Sequence, residues 1–215
     1  GNQLFDKKYL TPFKTNCYFF MQEDFGLCSY VKHHKQKIYY FLASMREYRD
    51  YLKDNGFKIS YYSLQDNIKN FKNYFEGLTH FIKKNNIEKI NIFEIEDIDF
   101  KSQFENYCQQ KQIHFEFHKS PMFLLAKQDY NDFSINKKPQ LSSFYSQIRK
   151  KFGILIDNNL PVGGKWSFDG DNRKRLPKDY ESFDVSNFES KYFPELEKII
   201  EKYFSNHFGI LNSKI

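Results

Sequence analysis

The 215-residue sequence has little cysteine, proline, glycine and tryptophan, with three, six, nine and one of each. Cys17, Cys28 and Cys108 are widely spaced and odd in number, which argues against a disulfide framework and a Cys-x-x-Cys metal site. They favour a reducing, cytoplasmic environment. No apolar run approaches the ~18 residues of a membrane span, and no signal-peptide pattern is present, so we expect a soluble protein that does not enter a membrane.

Aromatic residues are plentiful, with 25 Phe and 16 Tyr, and apolar residues make up 40% of the chain. This content excludes a disordered polymer and predicts a folded core. The 33 basic against 27 acidic residues give a net charge of +6, and the pI is about 9.0. The excess favours an anionic partner, which leaves nucleic acid, a phosphate-bearing small molecule and an acidic protein open, and A/T-rich codon usage is another source of it.

The first 120 residues predict alternating strands and helices. The apolar run 16–21 is typical of a buried strand, and apolar positions three and four apart predict a helix over 32–55. Further strands are predicted over 57–61, 90–93 and 113–117, with a helix capped by Asp66 and another over 100–109 between them. This order predicts an α/β fold with a Rossmann-like parallel sheet flanked by helices. Because such sheets bind ligands beyond the carboxyl ends of their strands, the loops from Gln22, Tyr62, Glu94 and His118 are candidates for a site.

The remaining chain predicts helices over 126–133, 141–152 and 194–204, separated by a long polar segment that begins at Gly153. We therefore divide the sequence into an α/β domain (1–135), a helix with a long interdomain linker (136–190) and the start of an α-helical domain (191–215).

Local motifs identify no catalytic centre. Gly163-Gly164-Lys165 lacks the remaining residues of a phosphate loop, and Asp169-Gly170-Asp171-Asn172 lacks the glycine and glutamate of a calcium loop. The basic first turn of the long helix, with Lys35 and Lys37, would be relieved by a bound anion, the alternative being a solvated turn. The residues alone therefore predict an α/β ligand-binding domain with a linker and assign no metal ligand and no catalytic residue.

Four segments resemble a known family when they are taken in order. They are Gly1-Asn2-Gln3-Leu4; Tyr30-Val31-Lys32-His33-His34-Lys35-Gln36-Lys37-Ile38 with Ser44-Met45-Arg46; Ser143-Phe144-Tyr145 with Arg149-Lys150 and Gly153-Ile154-Leu155; and Pro161-Val162-Gly163-Gly164-Lys165-Trp166-Ser167-Phe168-Asp169 with Asn172-Arg173. Their order and spacing resemble the cryptochrome/photolyase-related family of bacterial iron–sulfur (6-4) photolyases and cryptochromes.

The resemblance implies that the chain is the N-terminal portion of a monomeric protein about twice as long. In that family an α/β antenna domain binds a ribityllumazine chromophore, and a linker leads to a helical domain with FAD, a [4Fe-4S] cluster and the site for damaged DNA. A strand also precedes the first motif, so we expect this chain to lack that strand. The implied activity is light-driven DNA repair by electron transfer from the flavin, with no catalysis by this portion alone. A blue-light-sensing cryptochrome and a standalone basic α/β module that binds nucleotide or nucleic acid are the alternatives.

The resemblance also implies positions for the antenna site and for one linker residue. The antenna positions are Gly1, Asn2, Gln22, Glu23, Leu27, Tyr30 and Phe41, and Arg173 matches a linker arginine that faces the flavin and the DNA lesion. Asn2 and Leu27 stand where the family has carboxylates, Gln22 where it often has cysteine, and Phe41 where it has an aliphatic residue. A different antenna or an empty pocket are therefore alternatives to the lumazine.

Overall fold

A computed structural model of the protein describes residues 3–135, 140–181 and 191–211. Backbone contacts divide the chain into two units, one from the described residues of 1–122 and 189–215, the other from those of 123–188. No helix in the described part of the chain combines the length and apolar character needed to cross a membrane.

The first unit alternates strands and helices, which confirms the predicted Rossmann-like α/β class. Its elements are α1 (Lys7–Leu10), a 3-10 turn (Thr11–Phe13), β1 (Phe19–Gln22), α2 (Phe25–Ser29), α3 (Lys35–Asp54), β2 (Ile59–Tyr62), α4 (Leu64–Asn70), α5 (Tyr74–Asn85), β3 (Lys89–Phe93), α6 (Ile98–Lys111), β4 (His114–His118) and, after the second unit, α9 (Pro194–Tyr203).

The strands of the first unit form two parallel pairs. β1 pairs with β2 in the register Phe19↔Ile59, and β3 pairs with β4 in the register Lys89↔His114. Within the described residues, no ladder of hydrogen bonds joins one pair to the other. The carboxyl ends of β1 and β3 therefore open onto a space in which polar groups can face a ligand.

The single helix predicted after Asp66 is wrong, because two helices occupy that stretch. Ser63 caps α4 by accepting a hydrogen bond from the Asp66 amide at 3.3 Å, and Asn73 caps α5 through the Glu76 amide at 3.1 Å. Phe71 between them is extended, with φ −135°, and its ring stacks on Tyr62 at 5.3 Å. Phe71 fits the apolar spacing of one continuous helix, so the periodicity conceals this break.

Helix α9 packs against α3 in one apolar core. Leu196, Ile200 and Phe204 are fully buried in a cluster that also contains Ile38 and Leu42 of α3. The Phe193 amide, just before α9, donates a hydrogen bond to the Tyr39 hydroxyl at 3.0 Å. The apolar side of this helix is thus covered within the first unit, and its assignment to a further helical domain stays a prediction.

The second unit contains α7 (Lys127–Ser134), α8 (Leu141–Phe152), a short antiparallel hairpin of β5 (Ile156–Asp157) with β6 (Leu160–Pro161), and a 3-10 turn (Asp169–Asp171). Asn158 and Asn159 form the hairpin turn with φ values of 46° and 62°, a conformation that asparagine adopts more readily than most residues. The polar segment after Gly153 therefore contains local structure that its lack of periodicity did not indicate.

Candidate functional site

A cavity of about 480 Å³ lies at the carboxyl ends of β1 and β3. Met21 and Gln22 of β1, Ile92 of β3, and Asp24 and Ile95 just beyond these strands contribute to its walls. Its volume lies in the range of sites that bind small molecules and cofactors. The cavity is where the alternation of strands and helices predicts a ligand.

Two of the cavity walls are apolar and one of them is largely aromatic. Ile38, Leu42 and Met45 of α3 are buried along one wall. On the other, the Tyr74 ring lies 5.8 Å from that of Phe20 and 5.3 Å from that of Phe100. The two pairs meet edge to face, at interplanar angles of 64° and 75°, and the three rings offer an apolar contact area for a ligand.

Two buried polar groups face this apolar space. Gln22 is only 5% exposed, and neither its amide nitrogen nor its amide oxygen has a hydrogen-bond partner among the described residues. Asp24 accepts a hydrogen bond from the Leu27 amide at 2.8 Å through Oδ1, whereas its Oδ2 is buried without a partner. Burial raises the pKa of Asp24, against the effect of hydrogen bonds from the Leu27 and Gly26 amides. Because buried polar groups nearly always have partners, these two groups call for a ligand or water.

Glu23 lies between these two residues and its side chain takes the opposite direction. It is fully buried and accepts hydrogen bonds from Arg46 Nε at 2.7 Å, from the Tyr61 hydroxyl and from the Leu64 amide at 2.7 Å. Burial, and then the charge of Glu23, raises the pKa of Tyr61. In extended backbone, successive side chains point to opposite faces, so anchoring Glu23 directs its two neighbours toward the cavity.

The mouth of the cavity is more exposed and carries basic groups. The side chains of Leu27, Tyr30 and Phe41 are 54%, 73% and 40% exposed. Lys37 Nζ lies 3.4 Å from His33 Nδ1, and desolvation, followed by the charge of Lys37, lowers the pKa of His33. A ligand that enters here therefore passes from a partly basic surface to an apolar interior.

The first turn of the long helix, for which a bound anion and a solvated basic turn are the alternatives, contacts the chain's own groups. The helix begins at Lys35, whose amide donates to the Phe208 carbonyl at 2.9 Å. The next amide, of Gln36, donates to His34 Nδ1 at 3.0 Å. The Lys35 ammonium group pairs with Glu201 at 2.7 Å. The basic turn is thus stabilised from within the first unit.

The structure brings four of the seven predicted antenna residues together. Gln22, Leu27, Tyr30 and Phe41 line the cavity, whereas Glu23 is engaged by Arg46 and its neighbours, as above. Gly1 and Asn2 lie outside the described residues. Gln3, which follows them, also lines the cavity and donates from Nε2 to the Glu94 carbonyl at 3.0 Å.

Arg173, which the resemblance matches to a linker residue, lies in the second unit. It is exposed and follows the 3-10 turn Asp169–Asp171. Its contact with a flavin or a lesion stays a prediction. Among the described residues, no group of three or more His, Cys, Asp and Glu side chains converges as a metal site would require.

Sequence reasoning missed Asp24, Tyr74 and Gly77. Asp24 stands two residues after Gln22 in extended backbone, so the period of two would have placed it on the same face. Gly77 lies inside α5, where a Cβ atom would come within 2.8 Å of Gln22 Cδ and closer still to its amide oxygen. This close approach depends on packing between α5 and β1, and no local pattern indicates it.

The comparisons with known proteins agree on one family. The family described as "Deoxyribodipyrimidine photo-lyase-related protein" matches residues 1–215. An uncharacterized protein of Acanthamoeba polyphaga mimivirus is 31% identical over 191 residues, which cover 82% of this chain and 92% of the relative. A (6-4) photolyase of Agrobacterium fabrum is 25% identical over 187 residues, which cover 86% of this chain and 37% of that enzyme. The chain thus spans little more than a third of the photolyase that it matches, and it belongs to the deoxyribodipyrimidine photolyase-related family.

Proposed function

We propose that this chain is the N-terminal antenna-type domain of a light-dependent flavin DNA photolyase, with a light-absorbing chromophore bound in the cavity at the ends of β1 and β3. The observation that carries the proposal is the buried, unpartnered amide of Gln22 in a cavity of about 480 Å³, in a chain of this family. In the longer polypeptide, FAD and a [4Fe-4S] cluster belong to a helical half that binds damaged DNA. We expect the protein to act as a monomer in the cytoplasm.

The residues of the cavity would bind and orient the chromophore. When bound, an antenna chromophore absorbs light and passes its excitation energy to the flavin. The rings of Phe20, Tyr74 and Phe100 would contact its flat faces, and the buried side chains of α3 would exclude water. The polar groups of Gln22 and Asp24 would fix its orientation through hydrogen bonds.

The antenna function is tested by absorption and fluorescence of the purified protein with and without added 6,7-dimethyl-8-ribityllumazine. Binding should shift the absorption band and quench or enhance emission. A Met45→Trp variant should abolish the change because its larger side chain fills the cavity, whereas Glu47→Ala, an exposed change on the same helix, should leave it intact. Absence of binding by the wild-type protein would refute the lumazine antenna.

Repair activity is tested on the full-length protein. Blue light should restore an oligonucleotide that contains a (6-4) lesion, since the matched relative from Agrobacterium fabrum is a (6-4) photolyase. If the protein carries an intact flavin and yet repairs no lesion, the blue-light-sensing cryptochrome is favoured instead.

The mimivirus relative favours a second candidate, a standalone α/β binding module. The chain covers 92% of that relative's length and 37% of the photolyase's, so a protein of similar extent exists without the additional length of the photolyase. The reading frame downstream of Ile215 distinguishes the two. A continuous frame encoding a cysteine-rich helical region supports the photolyase, and an immediate stop codon supports the module.

A further inference from the structure

We propose that Gln22 selects the ligand of the cavity by pairing its carboxamide with the cyclic amide edge of a flat heterocycle. The inference rests on the proposed function, that the cavity holds a ring-shaped chromophore. It goes further in assigning one recognition group and in naming the chemical feature which that group recognises.

The first observation is that the Gln22 amide is unpaired on both sides. The residue is 5% exposed, it lines the cavity, and both its Nε2 and Oε1 are without partners among the described residues. A buried amide that is left without hydrogen bonds destabilises the folded state, so such groups are retained where a ligand or water completes them. An occupant that satisfies both atoms must offer one donor and one acceptor side by side.

The second observation is the glycine against which this amide lies. At Gly77, an added Cβ atom would lie closest to Gln22 Oε1, 2.8 Å from Cδ and 3.0 Å from Nε2, all too close for ordinary contact. Gly77 is in the interior of α5 (Tyr74–Asn85) and is absent from the glycines with positive φ. Glycine destabilises the interior of a helix. The close approach of the Gln22 amide explains why a glycine nevertheless stands at position 77. Gly77 thus leaves the space that the Gln22 amide occupies, and a larger residue there would displace the amide.

The chemistry of a carboxamide then defines the ligand edge. Gln22 presents an N–H donor and a carbonyl acceptor in one plane. A ring lactam or imide presents the complementary pair, an N–H next to a C=O held on the same side by the ring. Asp24 Oδ2 is unpartnered on the same cavity and provides a second contact. The aromatic wall of Phe20, Tyr74 and Phe100 suits the flat faces of such a heterocycle.

The test is a fluorescence titration of the purified chain with two matched probes, 1-methyllumazine and 1,3-dimethyllumazine. The first probe has the imide N–H as its only ring donor, and the second methyl group replaces that hydrogen and leaves the ring system otherwise unchanged. We expect the wild-type protein to bind 1-methyllumazine about 10-fold more tightly, the factor for one lost hydrogen bond. In Gln22→Met, which keeps the length of the side chain without its amide, we expect both probes to bind at the weaker level.

A glycine pair provides the matched control. Gly77→Ala should displace the Gln22 amide and remove the discrimination, while Gly170→Ala, where no atom lies within 4 Å of the added carbon, should preserve it. Circular dichroism checks that each variant is folded. Equal affinity of the wild-type protein for the two probes, or discrimination that survives in Gln22→Met, would overturn the role of Gln22 while leaving the chromophore site standing. If neither probe binds the wild-type protein, the recognition by Gln22 and the lumazine antenna are both refuted.

Discussion

Arg46 donates hydrogen bonds from two nitrogen atoms to the carboxylate of Glu23 in the interior of the first unit. Arg46 Nε lies 2.7 Å from Oε1, and Nη2 lies 3.1 Å from Oε2. The remaining Nη1 reaches Glu195 of α9 at 2.9 Å. Burial alone would lower the pKa of Arg46, but Glu23, through its hydrogen bonds and charge, raises it. One guanidinium group thus connects the loop after β1, the middle of α3 and the start of α9.

Replacing Glu23 by glutamine should strongly destabilise the first unit. The variant keeps the shape of the side chain and removes its charge, so the exposed Glu195 is the one carboxylate still paired with the buried Arg46. Loss of one member of a buried ion pair costs about 3–5 kcal/mol. Urea denaturation followed by far-UV circular dichroism measures the change in the free energy of unfolding.

The matched control for this prediction is Glu195→Gln, the other carboxylate of Arg46. Its side chain is 54% exposed, so its removal should cost no more than about 1 kcal/mol. If the free energy of unfolding decreased equally in the two variants, Glu23 would contribute no more than an ordinary surface partner.

Shortening Leu196 to alanine should also destabilise the first unit. Its side chain is 0% exposed in the core shared by α9 and α3, and a cavity at such a site costs about 2–5 kcal/mol. The same denaturation experiment measures it, with exposed Lys198→Ala as the control on the same helix. If Leu196→Ala unfolds at the wild-type urea concentration, α9 contributes nothing to this core.

The order of elements in the first unit could be predicted from the sequence because each strand is a short apolar run and each helix has an apolar stripe. The break between α4 and α5 could not, since Phe71 continues the stripe while its backbone is extended. The packing of α9 could not be predicted from the sequence either. Leu196, Ile199 and Ile200 form an apolar stripe on this helix, but nothing local identifies α3 as the partner that covers it.

The candidate site was predictable in part. The position of Gln22 at the end of a buried strand points to a ligand, and alternation along extended backbone accounts for the opposite directions of Gln22 and Glu23. Arg46 follows Met45 on the buried side of α3, and a charge there signals a buried partner that only the fold identifies as Glu23. The space for the Gln22 amide beside Gly77 depends on how closely α5 approaches β1, a distance set by tertiary packing.

The buried carboxyl group of Asp24 should make stability depend on pH. Its pKa in the folded protein is raised from 3.8, chiefly by burial, so the folded state holds this proton at a pH where the unfolded chain has released it. The stabilising contribution is therefore complete below the unfolded pKa and is lost as the pH rises through the folded pKa. At a pH above its folded pKa, the wild-type protein carries a buried charge on Asp24, one oxygen of which has no partner among the described residues.

Asp24→Asn should remove that cost and keep the capping oxygen that accepts the Leu27 amide. We expect the variant to be more stable than the wild-type protein by about 1 kcal/mol at neutral pH. The difference should shrink as the solution is acidified toward the unfolded pKa. Urea denaturation at a series of pH values measures it, and a difference that does not vary with pH would contradict the assignment.

Arg149 should be the residue on which the second unit depends most. It is 4% exposed, and its guanidinium group donates to the carbonyls of Ile154 at 3.1 Å, Trp166 at 3.1 Å and Leu155 at 2.6 Å. It also lies 5.3 Å from the centre of the Trp166 ring. The planar fork of arginine serves three carbonyls at once, a geometry that the single ammonium group of lysine does not reproduce.

Arg149→Lys should therefore destabilise the second unit by about 2–3 kcal/mol, because hydrogen bonds from a charged donor to the backbone carbonyls are lost. Trp166 is the only tryptophan in the sequence, so its fluorescence against urea concentration reports on this unit directly. Lys151→Ala, which removes an exposed ion pair with Asp129, is the matched control and should cost no more than about 1 kcal/mol. An unchanged Trp166 transition in Arg149→Lys would mean that charge near these carbonyls suffices and that the forked geometry contributes nothing.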